Sequence, residues 1–403
     1  MDITWKYRTN FLGEAELTSF SVNDHAEIKQ VIEEFKIPSV VEGRKIDAIS
    51  DTIHLSFREL KKRGTMQIKR VIVEDGIKNV DSWAFSNIFI KIDEFYWPAT
   101  CDTIPVSCFS SSAIREIKGI DHVKQIGHNA FNATALVKIK WPSQCLDIPE
   151  RCFISSALRE IDGTENVTKI EKSAFELTNI EKFTWPAACT AIPERCFLCC
   201  HILKSIDGIN KINSIGERAF SQTCIDRMVW PETCKRIPSK CFEYTFIKEI
   251  SNIDHVISIG RSAFERTLIT KFIWPPKCKV IPTSCFSMTP LKEIQGIEKV
   301  EKIGTKAFEG TLLQTFIWPS KINAIDCFFL DNCIPLKKII FAENSGILEV
   351  NLNFLSSLNK VEVIDLSKVA VVNFINTNSE VETSILFEKI KDKLRLPYYV
   401  AGI

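Results

Sequence analysis

The stretch Phe272–Phe286, "FIWPPKCKVIPTSCF", recurs with little change at Phe183–Phe197 as "FTWPAACTAIPERCF". A Trp-Pro, a cysteine, an Ile-Pro and a Cys-Phe keep their spacing in both. Such a frame is either a row of chemical sites or a row of structural units, and the period separates the two. The phenylalanines of the "AF" dipeptides fall at Phe131, Phe175, Phe220, Phe264 and Phe308, in steps of 44, 45, 44 and 44. The tryptophans of "WP" at Trp141, Trp185, Trp230, Trp274 and Trp318 take the same steps. Between successive "AF" sites lies a "CF" site, at Phe153, Phe197, Phe242 and Phe286, so the 44-residue period holds two related units of 22.

An AF unit, "LKEIQGIEKVEKIGTKAF" (Leu291–Phe308), overlays a WP unit, "ITKFIWPPKCKVIPTSCF" (Ile269–Phe286), with Gly on Trp and Val and Ala on the two cysteines. Leucine-type residues at L-x-x-L-x-L, recurring every 20 to 29 residues, mark a leucine-rich repeat, in which each unit lays one short strand into a parallel sheet. The spacing predicts an α/β repeat solenoid, right-handed, with a parallel β-sheet on its concave face and about 14 coils of about 22 residues. Strands are expected at segments such as Lys292–Gly296 and Lys271–Trp274. "IGxxAF" and "IPxxCF" then form the return turns, with Gly and Pro as turn residues.

With "IGERAF" (Ile215–Phe220), "IGRSAF" (Ile259–Phe264) and "VIVEDGIKNVDSWAF" (Val71–Phe85) in place, the chain resembles the BspA-type leucine-rich repeat family, whose units look like "LxxIxIPxxVxxIGxxAFxxC". The resemblance spans roughly residues 35 to 345, and the chain departs from it in the Trp and Cys of alternate units. It implies a non-enzymatic scaffold that binds other proteins. Members are regarded as surface antigens and adhesins of oral bacteria and of protists such as trichomonads and Entamoeba, which implies cell adhesion and a cell-surface location. The start, "MDITWKYRTNF", lacks the basic and apolar segments of a secretory signal, and the cysteines point to a reducing compartment. Those features favour the alternative, an intracellular scaffold with cytoplasmic partners.

Composition agrees with a folded protein. Of 403 residues, 45% are hydrophobic and 25% charged, and 51 basic against 50 acidic side chains leave a net charge of +1. That balance provides no field for nucleic acid, and no apolar run reaches the 18 or so residues of a membrane span. No Gly-rich phosphate loop, HExxH or GxSxG occurs, and the six histidines do not follow the repeat. The expectation is a monomer with protein partners, no enzyme activity, no cofactor and no metal.

The tryptophans alternate along the stack with Gly or Asn: Gly119 follows Trp97, Gly163 follows Trp141, and Asn252 follows Trp230. Their strand parity puts them on the face of the Ile or Phe two residues earlier, so they read as core, with a large ring over a small residue. Ten cysteines form the pairs Cys101/Cys108, Cys145/Cys152, Cys189/Cys196, Cys234/Cys241 and Cys278/Cys285. They occupy slots held elsewhere by Val and Ala, as small buried hydrophobes. The cluster Cys196, Cys199, Cys200 and His201 stands outside the repeat as a zinc candidate, weighed against crowded core cysteines.

The outward strand positions are the candidate binding residues. One column runs Glu116, Lys138, Glu160, Lys182, Ser205, Arg227, Glu249, Lys271, Glu293, Thr315, Lys338, and opposite charges are expected to meet across the sheet. A second column holds Thr184, Val229, Ile273 and Ile317 in the WP units. A line of aliphatic groups on a curved sheet suits a protein partner, so Thr184, Val229, Ile273 and Ile317, with Lys182, Arg227 and Lys271, form the proposed contact set.

Three regions are expected: residues 1–60 as N-terminal cap and degenerate first repeat, 61–345 as the repeats, and 346–403 as degenerate repeats and C-terminal cap. The amphipathic stretch "HAEIKQVIEEFKI" (His25–Ile37) reads as a short helix or loop, "SILFEKIKDKLRL" (Ser384–Leu396) alternates like a helix, and "VEVIDL" and "VAVVNF" read as strands.

Overall fold

The computed structural model of the chain describes residues 3–10, 13–22, 30–322, 328–351, 361–375, 388, 391–396 and 400–401. It divides into two units, Met1–Ile209 and Asn210–Ile403. Together they carry about 12 turns of parallel β-solenoid.

The first unit opens on an antiparallel pair, Ile3–Thr9 with Ala15–Val22, and then turns parallel. Val31–Ile37 is a strand paired with Gln67–Val73, neither the short helix nor the loop expected there; the preceding residues 25–29 lie outside the described set. Ile32, Phe35 and Ile37 are buried, and pairing with a neighbouring strand overrides the weak helical period. The α-helix of this unit is Ile53–Lys62 instead. Ile53, Phe57 and Leu60 are one face of it by helical spacing, and the Phe57 ring lies 5.0 Å from Phe20 and 5.3 Å from Phe35.

In the second unit the coils end in Thr315–Trp318, Lys338–Phe341, Val363–Asp365 and Leu394–Arg395, one parallel sheet. Asn344–Asn351, Val369–Ile375 and Val400–Ala401 form another. The strands expected at "VEVIDL" and "VAVVNF" are present. Of the helix expected at Ser384–Leu396, residues 384–387, 389 and 390 lie outside the described set; Glu388 is helical, Lys391–Lys393 is a 3-10 turn and Leu394–Arg395 is strand.

The repeat core is a file of phenylalanines. In the first unit Phe131, Phe153, Phe175 and Phe197 stack at 5.4 to 5.7 Å with planes 3° to 9° apart. In the second, Phe242, Phe264, Phe286 and Phe308 stack at 5.5 to 5.8 Å. The tryptophans are buried beside them, as parity requires, and Trp141, Trp185, Trp230 and Trp274 each donate Nε1–H to the carbonyl of the cysteine four residues on, at 2.9 to 3.0 Å.

The alternation of Trp with Gly has a cause other than ring size. Gly163 has φ +76°, and a Cβ there would stand 2.8 Å from the Trp141 carbonyl oxygen. Backbone crowding, not room for the indole, selects the glycine. Asn252 takes the same place with φ 59°, and its Nδ2 donates to the Trp230 carbonyl at 2.9 Å.

The return turns are held by backbone. Arg151, Phe153 and Ser155 donate N–H to the carbonyls of Lys172, Ala174 and Glu176 in the next coil, at 2.9 to 3.0 Å. Lys240, Phe242 and Tyr244 do the same to Arg261, Ala263 and Glu265. To aim three alternate N–H groups one way, the residues two before and two after the phenylalanine take positive φ, from 53° to 59° at these four positions. Among the described residues no β-branched residue takes positive φ, where its steric cost would be largest. This ladder recurs at successive coils and forms the spine of each unit.

Candidate binding face

On the strand side the connection is different. The strands pair two by two: Lys138–Lys140 with Glu160–Asp162, Lys182–Thr184 with Ser205–Asp207, Arg227–Val229 with Glu249–Ser251, and Lys271–Ile273 with Glu293–Gln295. Each pair joins a WP coil to the AF coil after it, and the next WP strand starts a new pair. The 44-residue period is therefore a physical module, zipped across its own two strands and joined to its neighbour along the turn spine.

Grooves open between modules. In the first unit a cavity of about 510 Å³ lies between Glu160–Glu165 and Lys182–Ala187. In the second, one of about 330 Å³ lies between Lys248–Asp254 and Ile269–Ile273. Parallel strands turn the peptide groups of alternate residues to opposite sides. Trp274 N–H bonds the Gln295 carbonyl and Lys292 N–H the Thr270 carbonyl, so Thr270, Phe272 and Trp274 face their own partner strand. The peptide groups of Lys271 and Ile273 face the groove, opposite Ile250. Exposure follows the groove: Ile250 and Ile161, mid-strand in AF coils, are half-buried, while Phe272 and Phe183 are buried.

The charges of the outward strand column follow the modules, while away from that column Lys140–Asp121 at 3.0 Å and Lys321–Glu301 at 2.8 Å cross from an AF coil to the next WP coil. Lys138 Nζ lies 2.8 Å from Glu160 and 2.9 Å from Asp162, and these two hydrogen bonds raise the Lys138 pKa. Arg227 meets Glu249 at 2.7 Å and Lys271 meets Glu293 at 3.1 Å. Opposite charges of that column thus meet within a module, and Glu160 turns back to Lys138 across the zipped pair. Lys182 lies opposite Ser205 in register.

The seven candidate residues fall on both units. Lys182 and Thr184 are exposed on the first, beside the polar groove. Arg227, Val229, Lys271, Ile273 and Ile317 lie on the second. Val229 and Ile273 are 67% and 65% exposed, high for aliphatic side chains in regular structure, while Ile317 is half-buried. Sequence reasoning missed Ile340, which pairs in register with Ile317 and is half-buried where earlier AF units carry Asp207, Ser251 or Gln295. The signal was present: the outward column runs through Thr315 to Lys338, and Ile340 lies two residues on, where Ile317 lies relative to Thr315.

The cysteine sites are structural. All ten paired cysteines are buried and unbridged. Burial pushes Cys189 and Cys234 up to about 11 and Cys278 up to about 12, and lifts Cys108, Cys152, Cys196, Cys241 and Cys285 well above the ordinary thiol range. Thiols so held are poor nucleophiles and poor metal ligands. The zinc candidate dissolves into the repeat: Cys200 takes the place of the threonine that caps other turns, as Thr178 caps the Phe175 carbonyl at 2.8 Å. Its Sγ donates to the Phe175 carbonyl at 3.0 Å, and burial pushes its pKa to about 12. Cys199 is the positive-φ residue of the same turn and His201 is exposed, so the side chains diverge. Among the described residues no group of three or more His, Cys, Asp or Glu is placed to hold a metal, and no helix is long and apolar enough to cross a membrane.

Comparison with known proteins places this architecture. The model of the BspA-type leucine-rich repeat region matches residues 63–159, 124–248 and 257–380, in six copies. No curated protein matches the chain. Among solved structures, a leucine-rich repeat protein from Bacteroides ovatus superposes with a TM-score of 0.64 at 17% identity, over 93% of this chain and 99% of that one. A leucine-rich cell surface protein from Faecalibacterium prausnitzii aligns with a TM-score of 0.37 at 19% identity, over 99% and 93%. The pneumococcal vaccine antigen PcpA aligns with a TM-score of 0.49 at 14% identity, over 100% and 97%. At these identities the Bacteroides protein speaks to the fold alone, and it agrees with the solenoid.

Proposed function

The chain belongs to the BspA-type leucine-rich repeat family, and from that premise we propose that it is a non-enzymatic scaffold that binds protein through the exposed strand face of its second unit. One observation carries the reading: Val229 and Ile273 stand two thirds exposed at equivalent places of successive modules. An aliphatic side chain left in water forgoes about 1.5 to 3 kcal/mol of burial, and covering two or three in line is a ready source of binding energy. Arg227 and Lys271 flank them, already paired with Glu249 and Glu293, as a polar rim.

The finer reading is a surface antigen or adhesin that contacts host or cell-surface proteins, supported by resemblance to the family. The intracellular scaffold is favoured by the ten buried, unbridged cysteines. Two experiments separate these claims. Antibody staining of intact beside permeabilised cells locates the protein; signal only after permeabilisation ends the adhesin reading. Binding to a panel of purified matrix and cell-surface proteins, compared between the native chain and a Val229→Asp, Ile273→Asp, Ile317→Asp variant, tests the face. A bound protein that the variant holds as tightly as the native chain would refute this face.

A further inference from the structure

The binding-face reading above leaves open what shape of partner the second unit takes; resting on it, we propose that this face seats an amphipathic α-helix lying along the stack, with an apolar side chain every seven residues. Val229, Ile273 and Ile317 recur once per module of two coils. The ring centroids from Phe242 to Phe264 are 5.8 Å apart and from Phe264 to Phe286 5.5 Å, so two coils advance by at most about 11 Å. Strand spacing sets the lower bound, about 9.6 Å for two coils. Seven residues of α-helix rise about 10.5 Å and return the side chain to nearly the same side. An extended strand repeats its face at about 6.7 and 13.4 Å and falls out of step with the row.

The grooves point the same way. A backbone slotted between two modules would need about 4.8 Å on each side, about 9.6 Å in all. The hydrogen-bonded strand pair already takes about 4.8 Å of each module, leaving roughly 6 Å of the advance seen in the phenylalanine file. That space admits side chains and refuses a strand. Val229 and Ile273 are thus ridges, and the groove of about 330 Å³ that Ile273 borders with Ser251 and Asn252 is a hole between them. A helix with heptad-spaced apolar residues sets its knobs into such holes while its flanks meet a rim of both signs, Arg227 with Glu249 and Lys271 with Glu293. The first unit lacks this arrangement: its corresponding column carries Lys140 and Thr184, and Glu160, Asp162 and Glu165 line its groove.

The test uses the full chain and three synthetic 21-residue peptides of one composition. One is helical with leucine at every seventh position, one is helical with the leucines at every fifth, and one is an extended alternating sequence. Binding is read by fluorescence anisotropy for the native chain and for Ile273→Asp, whose exposed position leaves folding intact. The heptad peptide is expected to bind at least about tenfold more tightly than either control and to lose about tenfold on Ile273→Asp. No binding by the heptad peptide, equal binding by all three, preference for the extended peptide, or indifference to Ile273→Asp would each overturn the proposal. Failure of the peptides beside a face-dependent protein partner removes only the helix, whereas a face-independent partner removes the binding face itself.

Discussion

At the scale of single residues, backbone conformation is the constraint that the sequence hides best. Gly163 combines positive φ with a close approach to the Trp141 carbonyl. Gly163→Ala is expected to cost about 1 to 2 kcal/mol for the left-handed conformation alone, with the 2.8 Å contact added to it. Gly163→Asn should cost less than Gly163→Ala, because Asn252 already fills the equivalent place; thermal unfolding of both variants checks the order. The buried thiols give a second expectation. Burial raises their pKa in the fold above the ordinary value of 9.0, so the unfolded chain loses these protons first. Their contribution to stability is complete below about pH 9 and is lost as pH rises toward the folded values of about 11 to 12. Urea unfolding from pH 7 to 10.5 should show stability falling ever more steeply above pH 9, and a flat profile would contradict the buried-thiol account. Core membership of Trp and Cys was legible because strand parity and substitution by Val and Ala both spoke to it. The positive-φ residues were not, since Arg151, Lys240, Tyr244 and Met288 look nothing like the Gly or Asn that such backbone usually recruits.

At the scale of the element, the unit is the zipped pair of strands. The sequence shows its period directly, 44 rather than 22, yet the charge column read as continuous because residue types alternate without interruption across module boundaries. Distances settle which neighbours meet: Lys271 pairs forward with Glu293 at 3.1 Å. Both groups are largely solvated, so the pair contributes only a small amount to stability. Lys271→Glu should therefore lower stability only slightly, and Lys271→Glu combined with Glu293→Lys should restore it. Adding Glu249→Lys to Lys271→Glu should not restore it, because those residues belong to different modules. A double-mutant cycle over these positions would reveal a continuous ladder if coupling appeared across the boundary. The N-terminal strand Val31–Ile37 escaped sequence reading for a related reason: apolar residues at Ile32, Phe35 and Ile37, spaced three and two apart, serve an amphipathic helix or a short irregular strand equally well, and pairing decides.

For the molecule as a whole, the recurring spine of turn hydrogen bonds and the periodically open strand face differ in kind: one holds the coils in register, the other leaves side chains and peptide groups in water, where the proposed partner would meet them. Solenoid stability is a sum of unit and interface contributions, so the face can carry exposed aliphatic residues without loss of the fold. The exposed aliphatic residues proposed as the contact set were legible as a column of the repeat; the grooves were not, because they arise from pairing that no residue type announces. Amide hydrogen exchange on the intact native chain, resolved to single residues, tests this division most directly. The turn amides of Phe264 and Arg266, bonded to Cys285 and Ser287 at 3.0 and 2.9 Å, should exchange slowly. The groove-facing amides of Ile250, Lys271 and Ile273 should exchange orders of magnitude faster. Equal protection of these strand amides and the turn amides would mean a continuous sheet with no grooves, and would contradict the modular face on which the proposed binding rests.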